Sequence, residues 1–468
     1  MNDSLSNKTS RPFLNRSLIP IVFSLAWPTM LQELMDTAVQ YIDTAMVGSI
    51  GTEATAAVGS TVTVGWLILS SISALGIGFL SYIAKAYGAG EKNRAAEAAA
   101  QAVLVVLITG TLLTALTLSL SRMVPVWMKV TEDIRDLASA YFFILYLPML
   151  PRTAEIIFAT LLRASGDTRT PMRVGLCVNL INIVLNFFLI YPTRSVSFAG
   201  FSILLPGAGL GVRGAAMASA VSVTVGGILM TMALFSHPDL SPRGKSIAPR
   251  PEILFPCLKV ALPNMLQRFC TSLGYVVFAS MINSLGRLSV AAHTIANTVE
   301  SAFYIPGYGM QSAAATLTGN AIGAKDRQRM REMSTVILLS EVSMMVLSGA
   351  LLFLFAPAMA SLFSSDDQVI ALSSLCLRLV ALSEPFYGIS IVTEGMLQGA
   401  GQTAKPFLFN ILSMWGVRIV GTFLCIRIFH FGLVSAWICM IAGNMLLLLL
   451  FRLYFRFGRW QSDPDVFT

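Results

Sequence analysis

The sequence predicts an all-α integral membrane protein of twelve transmembrane helices arranged as two parallel six-helix repeats. Three observations predict it: an apolar composition, apolar runs long enough to cross a bilayer, and an internal repeat at one constant offset. Of 468 residues, 55% are hydrophobic and 12% charged, and the mean hydropathy is +0.72. A soluble domain carries about 25% charged residues and roughly 45–50% apolar ones. Too little polar surface remains to keep a 50.5 kDa globule in water. A soluble enzyme, a nucleic-acid binder and a disordered scaffold are excluded on that ground.

The apolar runs divide at Gly, Pro and charge clusters into twelve stretches: 17–48, 52–85, 95–120, 133–163, 171–192, 211–236, 253–284, 287–322, 332–356, 367–398, 406–429 and 431–456. Each suits an α-helix crossing about 30 Å of hydrocarbon, which takes about 20 residues. They are far too long for barrel strands and lack period-2 alternation. The first follows Lys8, Arg11 and Arg16, as in a signal peptide, but runs from Leu18 to Val47 without a small-residue cleavage site. It is expected to stay as the first helix.

Twenty Lys and Arg residues flank the spans on one side and seven on the other, so the net charge of +8 is mainly a topology signal. Both termini are expected in the cytoplasm. The six cysteines (177, 257, 270, 376, 425 and 439) include no C-x-x-C pair and sit in apolar runs, as reduced core residues do.

The repeat has an offset of 235 residues. Pro28 meets Pro263, Gln32 meets Gln267, Met46 meets Met281, Gly51 meets Gly286, and Gly88-Ala89 meets Gly323-Ala324. Arg94 meets Arg329, and Leu162, Gly166, Thr168 and Pro171 meet Leu397, Gly401, Thr403 and Pro406. The register fails after the fifth helix, where the first half carries an extra loop from about Pro192 to Gly209. Six helices per half is an even number, so both copies enter from the same side. The expected units are an N-lobe (1–236), a cytoplasmic linker (237–252) and a C-lobe (253–468). Transporters often bind substrate and ions at such repeat interfaces, near the midplane.

Carboxylates at bilayer depth cost about 2.5–3.5 kcal/mol each on insertion scales and mark functional positions by default. The first helix carries Glu33, Asp36, Gln40 and Asp43, whose steps of three and four put them on one face. The fifth carries Asn179, Asn182 and Asn186, also on one face. Neutral amide oxygens beside one carboxylate suit an alkali cation; interhelical hydrogen bonding is the plainer alternative for the asparagines. Glu33, Asp36 and Gln40 line an aqueous cavity on this view, and Glu155 either faces that cavity or pairs with Arg152.

In the second half Glu300, Glu384, Tyr387 and Glu394 are cavity candidates, with Arg268 and Arg418 as intramembrane counter-charges. Glu341 stands alone in an apolar helix and is the least persuasive. The repeat mates of Asp43 and Asn186 are Phe278 and Gly421, so any Asp–Asn cation site is expected in the first half only. Trp66, Phe79, Tyr275, Tyr304, Tyr308, Met310 and Gln311 form an aromatic and methionine set on helices two, seven and eight, suited to bulky organic ligands or to ordinary core packing. No phosphate-binding loop or H-E-x-x-H motif is present, and the three histidines are scattered. Asp366-Asp367 reads as a solvated pair.

Pro28–Gly48 with Asp43, the stretch Ala291-Ala-His-Thr-Ile-Ala, and Leu162-Arg-Ala-Ser-Gly-Asp-Thr-Arg-Thr-Pro with its echo Leu397-Gln-Gly-Ala-Gly-Gln-Thr-Ala-Lys-Pro resemble the multidrug and toxic compound extrusion (MATE) family over nearly the whole chain. The resemblance implies two six-helix lobes around a central cavity. It also implies export of organic, often cationic, compounds through alternating access, in exchange for Na⁺ or H⁺ and with no other cofactor. Asp43 then matches the family's first-helix acid, Asn182 its fifth-helix Asn, and Ser219 lies near its sixth-helix hydroxyl. Pro28 is the expected hinge of the first helix. Asn186 stands where many members have Asp. The seventh-helix Glu of NorM-type members falls on Thr271 and their tenth-helix Asp near Tyr387, which places the sequence closer to the DinF-like branch. The expected setting is the plasma membrane, as a monomer, with lipid and a small organic substrate as partners and no nucleic acid. A lipid-linked precursor flippase and a dedicated metabolite exporter are the alternatives.

Overall fold

The computed structural model describes residues 16–198 and 201–457. Lys8, Arg11 and Arg459 of the charge count lie outside the described residues. The first half runs α1 (Ile19–Gly48), α2 (Thr52–Gly88), α3 (Lys92–Leu120), α4 (Met123–Trp127), α5 (Glu132–Tyr146), α6 (Met149–Ala164), α7 (Arg169–Ile190), β1 (Pro192–Phe198), β2 (Phe201–Ala208) and α8 (Gly211–Ser236). The second runs α9 (Pro251–Asn283), α10 (Arg287–Gly323), α11 (Arg327–Ser361), α12 (Asp367–Ala381), α13 (Glu384–Gly399), α14 (Ala404–Ile428) and α15 (Leu433–Phe457).

Among the described residues, eight helices are long and apolar enough to cross a bilayer, and the bent pairs α5–α6 and α12–α13 supply two more spans. Helices α1 and α10, of 30 and 37 residues, complete the twelve. Three acids, Glu33, Asp36 and Asp43, lie along α1, as expected of a helix turned toward a polar interior.

The structure corrects the sequence reading in two places. The fourth and tenth spans, expected to be continuous, are broken by 51° and 55°. Pro148 sits at the first break and Pro385 in the first turn of α13 after the second; each lacks an N–H, and its ring clashes with the preceding turn. The breaks fall at Leu147-Pro148 and Leu382-Ser383, positions 235 residues apart, so the repeat holds even where its prolines do not align. Second, the extra segment from Pro192 is not a loop. It is an antiparallel strand pair with Arg194 opposite Leu205 and Ser197 opposite Ser202.

Helix ends follow local chemistry. Asp326 caps α11 by accepting from the Arg329 N–H at 2.9 Å, and Asp366 caps α12 by accepting from the Gln368 N–H at 2.8 Å. Gly166 and its mate Gly401 end α6 and α13 with φ of 94° and 79°, a conformation that favours glycine.

Two main cores form. One contains Phe79, Phe142 and Phe158, the other Phe278, Leu377 and Trp437. A third core seats Leu18, Val22 and Ala26 of the N-terminal segment against Met310, Met333 and Val392 of the second half. Reciprocally, Ile253 and Cys257 of α9 join the first-half core. Leu18 and Val22 are the repeat mates of Ile253 and Cys257, so each half lends the start of its first helix to the other's core. Phe79 and Met310 are core residues at 2% and 3% exposure, which removes them from the ligand-facing set.

Candidate functional site

Helix α1 packs along α7, and α7 along α8. That packing brings the acid stripe of α1 against the asparagine stripe of α7. Asn186 Nδ2 donates to Asp43 Oδ1 at 2.6 Å, and Asn179 Nδ2 donates to Asp36 Oδ1 at 2.7 Å. Both pairs are 143 residues apart in sequence, so two carboxylate–amide rungs recur one heptad apart on both helices.

Asn182 lies between the rungs. Its Oδ1 accepts from Asn186 Nδ2 at 3.0 Å and its Nδ2 donates to Ser219 Oγ on α8 at 3.2 Å. Turning that amide over sets its nitrogen 2.9 and 3.2 Å from the two Asp43 oxygens, donating to both, with Ser219 Oγ donating to the carbonyl. In that orientation both ends of the Asn182 amide are satisfied, and Asn182 joins Asn186 as a donor to Asp43. Asn182 and Asn186 are 6% and 1% exposed, and Asn186 Oδ1 is buried without a donor. One carboxylate held by two amides, beside a hydroxyl and a buried amide oxygen without a donor, offers oxygens of the kind that hard monovalent cations take. No group of three or more His, Cys, Asp or Glu side chains able to hold a metal ion occurs among the described residues.

Below this site the structure separates the predicted cavity residues. Asp36 and Gln40 are exposed, while Glu33 and Glu155 are half-buried. Arg163 Nη2 donates to Gln32 Oε1 at 2.9 Å, setting a buried guanidinium near Glu33 and Asp36. Glu155 makes no ion pair with Arg152 among the described residues. It lies beside Gly226 of α8, where a Cβ would come within 2.7 Å of its Oε1.

The second-half candidates split into two groups. Tyr304 packs edge-on against Tyr308 and Tyr387 at 5.8 and 5.9 Å, beside a buried acidic cluster of Glu300, Glu341 and Glu384. Glu394, farther along α13, accepts from Gln267 Nε2 at 2.8 Å and from Gln398 Nε2 and Asn410 Nδ2, both at 3.2 Å. Gln311 packs against Gly395, whose added Cβ would meet its carbonyl oxygen at 2.4 Å. Tyr275 is exposed and lies under Arg418 at 4.8 Å. The expected counter-charges do not close onto the acids: among the described residues neither Arg268 nor Arg418 forms an ion pair with any of them.

Glu341, the least persuasive candidate in the sequence, is fully buried with both oxygens unpartnered and its Oε1 wedged between Gly307 and Gly388. Gly307 directly follows Pro306 and Gly388 lies four residues after Glu384, both on helices packed against α11. Sequence reasoning missed the amides around Glu394: Gln398 stands one turn on along α13, but Gln267 and Asn410 come from α9 and α14, which no single-helix periodicity reveals.

The MatE family model matches residues 28–188 and 263–424, two stretches whose starts lie 235 residues apart. A probable multidrug resistance protein NorM of Thermotoga maritima is 29% identical over 455 residues, covering 97% of this chain and 95% of that protein. Multidrug resistance protein PmpM of Pseudomonas aeruginosa is 24% identical over 418 residues, covering 87% and 84%. A solved structure described as the outward-facing conformation of a multidrug resistance MATE family transporter matches with a TM-score of 0.86 at 25% identity, over 95% of this chain and 96% of that one. With both halves matched in register and the fold shared end to end, the chain belongs to the MatE family of membrane transporters.

Proposed function

We propose that this transporter is a secondary active exporter of organic, cationic or amphipathic compounds, driven by antiport with a monovalent cation, Na⁺ or H⁺, that binds at Asp43. The observation that carries the ion site is the closure of Asn182 and Asn186 on one carboxylate, with Asn186 Oδ1 buried and without a donor. Bound cation would turn the Asn182 amide oxygen toward Asp43; without it the amide nitrogen satisfies the carboxylate. The ion state is thereby coupled to the α1–α7–α8 contact. Helix α1 runs unbroken through Pro28, which cannot donate to the Ser24 carbonyl and leaves a weak point for bending. Substrate meets the exposed and half-buried polar side chains of α1 and α6 and the tyrosines of α9, α10 and α13. The ion shifts the equilibrium only by its differential affinity for the two states.

This reading puts both termini in the cytoplasm of a plasma membrane, on the Lys and Arg asymmetry of the connections. It treats 1–236 and 253–468 as the moving lobes of a monomer. Coupling belongs to the first half alone, the DinF-like pattern, because Thr271 and Tyr387 replace the NorM-type acids.

The test is export of a fluorescent organic cation from proteoliposomes under an imposed Na⁺ gradient and, separately, a pH gradient. Flux under one gradient that Asp43→Asn abolishes supports the proposal and names the ion. Flux that survives the substitution moves the ion site elsewhere, and no flux under either gradient favours a flippase or a narrow native substrate.

A further inference from the structure

We infer that Gly88 and Gly323 form a pseudo-twofold latch whose contact holds one end of the transporter shut; this rests on the alternating-access reading above. An added Cβ on Gly88 would lie 1.9 Å from the Asn320 carbonyl oxygen, and one on Gly323 would lie 1.9 Å from the Lys85 carbonyl oxygen. Gly88 is the repeat mate of Gly323, and Lys85 that of Asn320, so one contact occurs twice under the internal symmetry. Between them Gly319 faces its own mate Ala84, where an added Cβ would come within 2.6 Å of the alanine methyl. The pseudo-axis therefore passes through the crossing of α2 and α10.

Hydrogen bonds reinforce the crossing in the same pattern. Ser81 Oγ on α2 donates to the Gly399 carbonyl on α13 at 3.1 Å, and its mate Thr316 Oγ1 on α10 donates to the Arg163 carbonyl on α6 at 3.2 Å. Each side chain reaches from one half into the other. Away from the crossing α2 and α10 are far less covered. Ile83 and Ala84 are 0% exposed and Ala321 3%, whereas Val62 is 43%, Trp66 62% and Tyr308 37%. The latch sits at the C-terminal ends of α2 and α10, opposite the end of α1 that carries Asp43. Backbone-to-backbone contact at that distance tolerates no side chain, and unlike a side-chain gate it is either made in full or broken.

The test places spin labels at Asn93→Cys and Gln328→Cys, exposed repeat mates in the first turns after the crossing, with the six native cysteines replaced by alanine. Gly88→Ala and Gly323→Ala should each shift the closed-to-open ratio by about tenfold or more, the range for a methyl forced into a packed contact. Their combination should shift it by less than the product of the two, since both act on one crossing. Gly59→Ala, on the same helix with open space around it, should leave the distances unchanged. Should the glycine variants not fold, Ser81→Ala and Thr316→Ala provide the same test, with smaller shifts in the same direction. Glycine and hydroxyl variants that behave like Gly59→Ala overturn the latch. Parent distances that never respond to Na⁺, pH or substrate, while the glycine variants lengthen them, overturn alternating access and leave the latch standing.

Discussion

The two halves share a backbone register yet treat charge in opposite ways. In the first half Asp43 ends on Asn186, and Asp36 ends on Asn179. At the mate of Asp43 the second half has Phe278, 1% exposed, with the Arg418 guanidinium over its ring at 4.1 Å. A cation on an aromatic face thus replaces an anion among amides. The second-half acids Glu341 and Glu384 have all four carboxylate oxygens buried and unpartnered. The difference teaches that a buried acid is not by itself an ion site: a bound ion needs further polar groups around the carboxylate, which Glu341 and Glu384 lack among the described residues and which the proposed site at Asp43 has in Asn182, Asn186 and Ser219.

The largest effect that breaks or upholds this comparison comes from Asp43→Asn. It keeps the shape and removes the one charge, so gradient-driven export should vanish while the protein stays folded and still binds substrate. Next is Asn186→Ala, which leaves Asp43 without its 2.6 Å donor and deletes the unpartnered oxygen. Apparent ion affinity should weaken by about 10–100-fold, the range for losing a group that orients a ligating carboxylate. Maximal flux should change little once the ion is saturating. An Asn186→Ala protein whose ion dependence matches the parent would remove the amides from the site and leave them as interhelical glue.

Much of this comparison was legible in the sequence. The apolar runs predicted twelve spans, and the 235-residue offset set Phe278 and Gly421 as the mates of Asp43 and Asn186, because aligned Gly and Pro residues meet packing constraints that both halves share. Steps of three and four on the first and fifth helices put Glu33 to Asp43 and Asn179 to Asn186 on single faces. What periodicity cannot supply is which faces meet. The equal spacing of Asp36–Asn179 and Asp43–Asn186 depends on the axial offset of two helices, and Glu394 gathers amides from α9, α13 and α14. The broken spans were hidden because hydropathy is blind to direction: the chain stays apolar through Leu147-Pro148 and Leu382-Ser383 while its axis turns. Glu341 looked unimportant because it is isolated in sequence, although Gly307 and Gly388 on neighbouring helices leave room for its carboxylate.

A smaller effect is expected from Arg418→Met. It lies where α14 is wound as a π-helix, over Leu412–Ile419, and is 7% exposed. The substitution removes a cation from the faces of exposed Tyr275 and buried Phe278, interactions worth about 0.5–1 kcal/mol at an exposed ring and about 2 kcal/mol at a desolvated one. Thermal stability should fall, with the ratio of ion to substrate moved per cycle unchanged. A changed ratio would bring the second half into coupling and erase the asymmetry between the halves.

The smallest effect is expected from Glu341→Gln. The isosteric amide keeps the shape that fits between Gly307 and Gly388 and removes a group whose ionised form has no donor or cation to meet it. Burying an unpaired charge costs several kcal/mol, so the amide should leave the melting temperature equal to the parent's or raise it. Export and its ion dependence should be those of the parent. Measuring both properties on the same variant separates the two roles this acid could play. A lower melting temperature with normal export makes Glu341 a structural polar group whose protonated form is part of the packing. Normal stability with lost export gives it a part in coupling, and the bare acids of the second half would then rank with Asp43.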